Sequence, residues 1–333
     1  MPRLTPPKLK PLPQQVIVIT GASSGIGLAA AQMAAEAGAK VVMTARGEEQ
    51  LRAAAATLGP DVEVVAADIA DPQAAERIAD AAVSRFGRID TWVNNAAAVT
   101  VGRVADTPIE DQRRGFDVGY WGTVYGTLAA LKRLRGSGGA IINLGSIESD
   151  RGVILQAQYS AMKHAIKGFT EAFRTEVEAD GLPVSVTLIK PAAMHTPFPE
   201  HARNLTGHPV TLPPVIYDPR LSAKAILFAA ANPRRMLSVG GTGVLQTVLA
   251  THFPRPADRL FEAFGEALQT FDKWAPKERA DNLYEPKASA VESKQDVYVR
   301  RRSLWLEAQL NPLATLALAG AATVAGVALA RRR

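Results

Sequence analysis

The chain has 333 residues, 47% of them hydrophobic and none cysteine, and a formal net charge of +6. That apolar share supplies a sizeable core and excludes a disordered chain, while the absence of thiols excludes disulfides, thiolate nucleophiles and cysteine-ligated metals. The positive charge sits at the ends, with Arg3, Lys8 and Lys10 at the start and six arginines against Glu307 after residue 299. The slightly acidic body between them does not imply the basic stripe of a nucleic-acid-binding fold.

Residues 1–14 are proline-rich and read as an extended basic arm; they hold no apolar run of the kind a signal peptide needs. Residues 16–20, VIVIT, form the β-branched run of a buried parallel strand. A glycine-rich turn leads into an alanine-rich helix over 26–37, stopped at Gly38. A strand over 40–44, a helix over 48–58 and a strand over 62–66 follow. The next helix, 72–86, has Asp71 as its N-cap and Pro72 in its first turn. After a strand at 91–94 the spacing predicts one long helix over 109–134. A strand at 140–144 precedes the helix that carries Tyr159, which ends near 179 ahead of Gly181. The sixth strand is 184–190. Seven prolines between 191 and 220 read as a long loop, before a helix over 222–231 and a strand at 236–239.

Strands alternating with helices predict an α/β fold, a Rossmann-like doubly wound parallel sheet of about seven strands. Residues 15–245 form the expected catalytic domain. Residues 246–307 read as a helical and irregular extension, broken at Pro254 and Pro256. Residues 308–333 are a candidate membrane-anchor tail: the stretch 313–330 is uncharged, rich in alanine and glycine, and ends on Arg331, Arg332 and Arg333. Its length is just sufficient to span a bilayer, and the mixed Arg, Tyr298 and Trp305 segment before it suits an interface. This pattern predicts an enzyme held at the cytoplasmic side of a membrane, the alternative being a soluble cytoplasmic one with the tail docked on the body.

The turn 20-TGASSGIG-27 follows the first strand and opens the first helix. Glycines there let backbone approach a ligand closely, and the helix N-terminus offers free N–H groups to a pyrophosphate. Farther on, Tyr159 and Lys163 stand four residues apart on one helical face.

In order along residues 15–240, these segments resemble the short-chain dehydrogenase/reductase family. The turn is similar to its TGxxxGxG cofactor motif, with Thr20, Gly21, Ser23, Gly25, Ile26 and Gly27. Asp68, in AADIAD, is similar to the acid that bonds the adenine amino group. NNAA at 94–97, with Asn95, resembles the NNAG segment that stabilises the sheet. Ser146, Tyr159 and Lys163 match the catalytic serine and YxxxK. PAAMHTP at 191–197 resembles PGxxxTP, with Thr196 at the nicotinamide contact. The resemblance implies hydride exchange between a nicotinamide cofactor and an alcohol or carbonyl, with Ser146 orienting the substrate oxygen, Tyr159 as acid/base and Lys163 binding ribose and lowering the tyrosine pKa. It also implies a homodimer or homotetramer through the long helices.

Three readings stay open. Ala45 and Arg46 end the second strand where an acid would hold a ribose 2′-OH, which favours NADP, with NAD possible; Ser24 stands where some NADP members carry a second base. Gly119 replaces an asparagine that in the family helps to hold a relay water, so a cofactor-binding scaffold or sensor with impaired catalysis is the alternative to an oxidoreductase, and an epimerase a third reading. The five histidines lack metal-ligand spacing, so no metal is expected; His195 is a possible substrate contact. The apolar 191–220 loop suggests a lipophilic substrate.

Overall fold

The apolar runs pair as one parallel sheet in the computed structural model, which describes residues 5–273, 280–317 and 320. In chain order the strands are β1 (Val16–Thr20), β2 (Lys40–Ala45), β3 (Val62–Ala66), β4 (Thr91–Asn94), the short β5 (Thr100–Val101), β6 (Gly139–Leu144) and β7 (Val184–Pro191). They continue with the short β8 (Arg203–Asn204) and β9 (Ile216–Tyr217), then β10 (Met236–Val239) and the short β11 (Val299–Arg300). The large sheet has the order β10-β7-β6-β4-β1-β2-β3, while β5 pairs with β8 and β9 with β11. Strand order therefore reverses between β1 and β4, and the crevice at their carboxyl ends is where such sheets bind ligands.

The helices are α1 (Gly25–Glu36), α2 (Glu48–Ala55), α3 (Ala74–Phe86), α4 (Ile109–Phe116), α5 (Gly122–Ser137), α6 (Ala157–Ala179), α7 (Phe198–His201), α8 (Pro219–Ala231), α9 (Gly241–His252), α10 (Pro254–Phe264) and α11 (Leu304–Leu310). One face of the sheet is covered by α1, α2, α8 and α11, the other by α3, α5 and α6. Central strands such as β1 and β7 bury side chains on both faces, which is why they read as largely apolar runs rather than alternating ones, whereas β3 at the edge is only partly buried. A polar network crosses the second core: Asn94 Nδ2 donates to Asn143 Oδ1 (2.8 Å) and Thr127 Oγ1 (3.0 Å), and Asn143 Nδ2 to Thr170 Oγ1 (3.0 Å). It fixes β4 and β6 against α5 and α6, the elements that lead to Ser146, Tyr159 and Lys163.

Several segments depart from expectation. The long helix is interrupted by a π-helical turn at Asp117–Trp121, an insertion that leaves no periodic signature over five residues. The proline-rich loop holds α7, β8 and β9, and α8 starts early because Asp218 caps it and Pro219 occupies N1. The chain bends between α9 and α10 at Phe253, ahead of Pro254. The arm is tied down: Lys10 Nζ lies 2.5 Å from Asp90 Oδ1, and Leu9 and Leu12 pack on the core. The extension is integrated too, with Leu283, Leu306 and Leu310 in the main cores. Among the described residues no helix is long and apolar enough to cross a membrane; most of the 313–330 stretch lies outside them.

Candidate active site

The glycine turn at the end of β1 is built for close approach. Gly21 and Gly25 have φ of +65° and +55°, the left-handed region that glycine enters without penalty. A Cβ on Gly21 would lie 2.9 Å from Ala96 Cα, and one on Gly27 would lie 2.2 Å from the Gly21 carbonyl oxygen. The Asn95 side chain stitches the turn to β4, donating to the Thr20 carbonyl (2.9 Å) and the Gly21 carbonyl (3.3 Å).

A cavity of about 910 Å³ runs from this turn across the carboxyl ends of the strands. Thr20, Gly21, Ser23, Gly25 and Ile26 line one end, with Arg46, Asp68 and Asn95 beside them. Ser146, Tyr159, Lys163 and Thr196 line the other. Gly27 is not among the lining residues; it sits behind the wall, where its bare Cα lets α1 meet the turn. A dinucleotide fits this shape: a glycine cradle at a helix N-terminus, a carboxylate deeper along, and the tyrosine–lysine pair at the far end.

At the nucleotide end Asp68 and Arg46 already have partners. Asp68 pairs with Arg114 (2.5 Å). Arg46 donates to the backbone carbonyls of Asn282, Leu283 (3.0 Å) and Tyr284 (2.8 Å), and Arg114 Nε also donates to Leu283 O (3.1 Å). The Gly25 N–H donates to Ala290 O (2.8 Å). Residues 281–296 therefore cross this end as a strap. His195 belongs to the strap rather than to the cavity: its Nε2 meets Gln295 O (3.1 Å), and its Nδ1 lies 3.8 Å from Glu292. It does not line the cavity, whereas His201 does. The strap also brings Lys287 to the cavity wall, a second cation that its turn-rich sequence did not reveal.

At the catalytic end Ser146 leaves β6 as the N-cap of a 3-10 turn, Ile147–Ser149. Tyr159 and Lys163 rise from the first turns of α6. The Ser146 hydroxyl is near enough to Tyr159 to work against the rise in its pKa, and the Lys163 ammonium lies 5.5 Å from the Tyr159 ring centre. Lys163 is buried and donates to Leu144 O (2.6 Å). Burial lowers its pKa to about 8, the charge of Glu148 acting against that. Burial raises the Tyr159 pKa, Glu148 raises it further, and Ser146 works the other way, with Lys163 not among the groups that shift it. Tyr159 is thus held in its protonated form.

Two features escaped sequence reasoning. Glu148, two residues after Ser146, lines the cavity. An apolar wall from Leu245, Leu249, Phe253, Leu260, Phe261 and Leu268 faces the catalytic end from α9, α10 and the following turn; the helical pattern of that segment was visible, its destination was not.

The short chain dehydrogenase family model matches residues 15–205. The chain is 43% identical to the uncharacterized oxidoreductase YxnA of Bacillus subtilis over 327 residues, 96% of this chain and 90% of that one. It is 39% identical to an 11-beta-hydroxysteroid dehydrogenase A of Sesamum indicum over 182 residues, 53% of this chain and 51% of that one. A crystal structure of a short-chain dehydrogenase from Streptomyces avermitilis superposes with a TM-score of 0.63 at 25% identity, covering 76% of this chain and 98% of that chain. The protein belongs to the short-chain dehydrogenase/reductase family. It is an oxidoreductase of alcohol and carbonyl groups that uses a nicotinamide cofactor.

Proposed function

We propose that this enzyme interconverts a lipophilic carbonyl and its alcohol, prefers NADP, and uses Tyr159 as acid/base. The observation that carries the reading is the single cavity with the glycine turn at one end, Ser146, Tyr159 and Lys163 at the other, and an aliphatic and aromatic wall beside the latter. When bound, the nicotinamide supplies or takes the hydride. Ser146 orients the substrate oxygen toward the Tyr159 hydroxyl, which gives its proton in reduction and recovers it in oxidation. Lys163, fixed by Leu144 O, is placed to bind the nicotinamide ribose, and Thr196 the carboxamide end.

NADP preference is supported by the lack of a carboxylate at the end of β2 and by Arg46 and Lys287 on the cavity wall. A lipophilic substrate is supported by the wall from α9 and α10 and by the hydroxysteroid named for the sesame relative. Exposed Leu304, Trp305, Leu313 and Leu316 lead into the apolar tail, which supports attachment to a membrane at its cytoplasmic side; deletion of residues 308–333 should then release the protein from the membrane fraction. Exposed Trp121 and Leu128 near and on α5 support self-association through that helix, which sedimentation will test.

The deciding experiment pairs fluorescence titration of NADPH and NADH with turnover of 4-nitrobenzaldehyde in the wild type and Tyr159→Phe. Cofactor binding in both proteins, with turnover lost by at least about 10²-fold in the variant, is expected. Cofactor binding without any carbonyl turnover by the wild type would favour the scaffold reading that Gly119 raises.

A further inference from the structure

Gly119 removes the polar side chain that the family uses behind its lysine, and the structure shows what occupies the space. Met162 is fully buried, and its sulfur lies 1.8 Å from where a Cβ on Gly119 would stand. The Gly119 carbonyl is taken by the Thr123 hydroxyl (2.7 Å). Met162 packs with Ile166 and Leu188 in a small apolar cluster that also touches Ala97, Phe116, Tyr120 and Tyr159. A thioether neither gives nor accepts a proton under these conditions, so Met162 cannot take over the relay role of the missing side chain.

Glu148 shares the cavity with Tyr159 and Lys163. It sits on the turn that follows Ser146, and its N–H donates to Ser146 Oγ (3.1 Å). Its carboxylate accepts from Ser160 Oγ (2.7 Å), the neighbour of Tyr159. Among the described residues no lysine or arginine forms an ion pair with it: Asp150 holds Lys167 and Lys190, and Arg151 pairs with Asp258. The titratable groups facing it are Lys163 and Tyr159 of α6, while α9 contributes uncharged Thr242 and Gln246 to the shared cavity. Burial raises its pKa to about 7, with the Ser160 hydrogen bond and Lys163 opposing.

We propose that Glu148 exchanges protons with Tyr159 and the cavity, replacing on this side the relay that Gly119 and Met162 close on the other. The inference rests on the carbonyl-reduction reading above. In reduction, hydride reaches the carbonyl carbon from the reduced nicotinamide, and the C=O π pair moves to oxygen, which takes the Tyr159 proton. The tyrosinate then recovers a proton from the Glu148 carboxyl through cavity solvent. The Glu148 carboxylate takes one proton from bulk, so each turnover consumes one carbonyl, one hydride and one proton. In oxidation every transfer reverses. Glu148 acts through Tyr159 and does not touch the substrate in this scheme.

The test uses the full chain. With 4-nitrobenzaldehyde and NADPH from pH 5.5 to 9, wild-type reduction should fall on an alkaline limb near pH 7. Glu148→Gln should lose that limb and run about 10-fold slower at pH 6.5. Glu148→Asp should keep the limb, and Glu148→Ala should regain turnover on addition of formate. A Glu148→Gln profile that follows the wild type, or a Glu148→Ala variant indifferent to formate, overturns the proposal. If the wild type turns over no carbonyl, the functional reading fails first, and Glu148 is judged by infrared titration without cofactor. A carboxyl C=O band that titrates near pH 7 and is lost in Glu148→Gln then supports its proton-exchanging role; absence of such a band overturns it.

Discussion

The two ends of the cavity are built on opposite plans. At the nucleotide end Asp68 and Arg46 have fixed partners: Asp68 holds Arg114, and Arg46 is committed to carbonyls of the strap. At the catalytic end Tyr159, Lys163 and Glu148 lie within each other's fields with few fixed partners, and their pKa values are displaced from ordinary ones. The first end is fixed by its contacts, and the second holds the groups whose pKa values are displaced. Substitutions at the first should therefore act through packing and affinity, and those at the second through pH.

The largest effect is expected where shape matters most. Gly27→Ala places a methyl 2.2 Å from a backbone carbonyl that has no rotamer to change, so the turn or α1 must shift, at a cost of about 3 kcal/mol. Thermal denaturation should show the loss, and NADPH titration should show weaker binding even though residue 27 does not line the cavity. Unchanged binding would mean that the turn is not the cradle.

A somewhat smaller cost is expected where the apolar plug meets the π-helical turn. Gly119→Ala should destabilise by about 2 kcal/mol because Met162 is buried and has little room to retreat. Met162→Ser in the same chain should recover most of that, a coupling that a double-mutant cycle measures directly. Additive effects would show that Met162 does not occupy the vacated space. This pair also explains what was legible in the sequence and what was not. The absence of a side chain at Gly119 could be read from one residue. Its replacement by Met162 could not, because the two are 43 positions apart and meet only when α6 packs on the π-helical turn.

The same distinction runs through the molecule. Most of the seven strands were legible as short, largely β-branched apolar runs, and the meeting of Ser146, Tyr159 and Lys163 in one cavity through the resemblance of their segments to the family's motifs. The strap was not, since Arg46 is held there by backbone carbonyls, which any residue supplies. Glu148 was not, because a lone glutamate after a strand reads as solvated until α9 and α6 enclose it. Of the loop histidines the sequence pointed to His195 as a substrate contact, but His201 is the one that lines the cavity, while His195 Nε2 meets Gln295 O of the strap.

Arg46→Ala sharpens the comparison at smaller scale. If Arg46 meets a 2′-phosphate, the loss should fall on NADPH alone, about 1.5 kcal/mol or roughly tenfold in Kd, with NADH unchanged. If its contacts with Asn282, Leu283 and Tyr284 dominate, both cofactors should weaken together, because the strap loosens. Paired fluorescence titrations separate the two outcomes.

The smallest effect belongs to Glu148 and concerns stability rather than rate. Its ordinary pKa of 4.5 rises to about 7 in the fold. Below 4.5 the carboxyl is protonated in both the folded and unfolded chain, and it contributes no pH dependence. Between 4.5 and 7 the folded chain keeps a proton that the unfolded chain has lost, so stability falls as pH rises, and above 7 the penalty is complete. Glu148→Gln removes that penalty, but it also removes the charge that supports Lys163 against burial, so the net gain at pH 7.5 should not exceed about 1 kcal/mol, or about 2 °C in Tm. At pH 4.5 the gain should be near zero. Melting curves of both proteins at the two pH values measure it, and an equal difference at both would show that the fold does not hold a proton on Glu148.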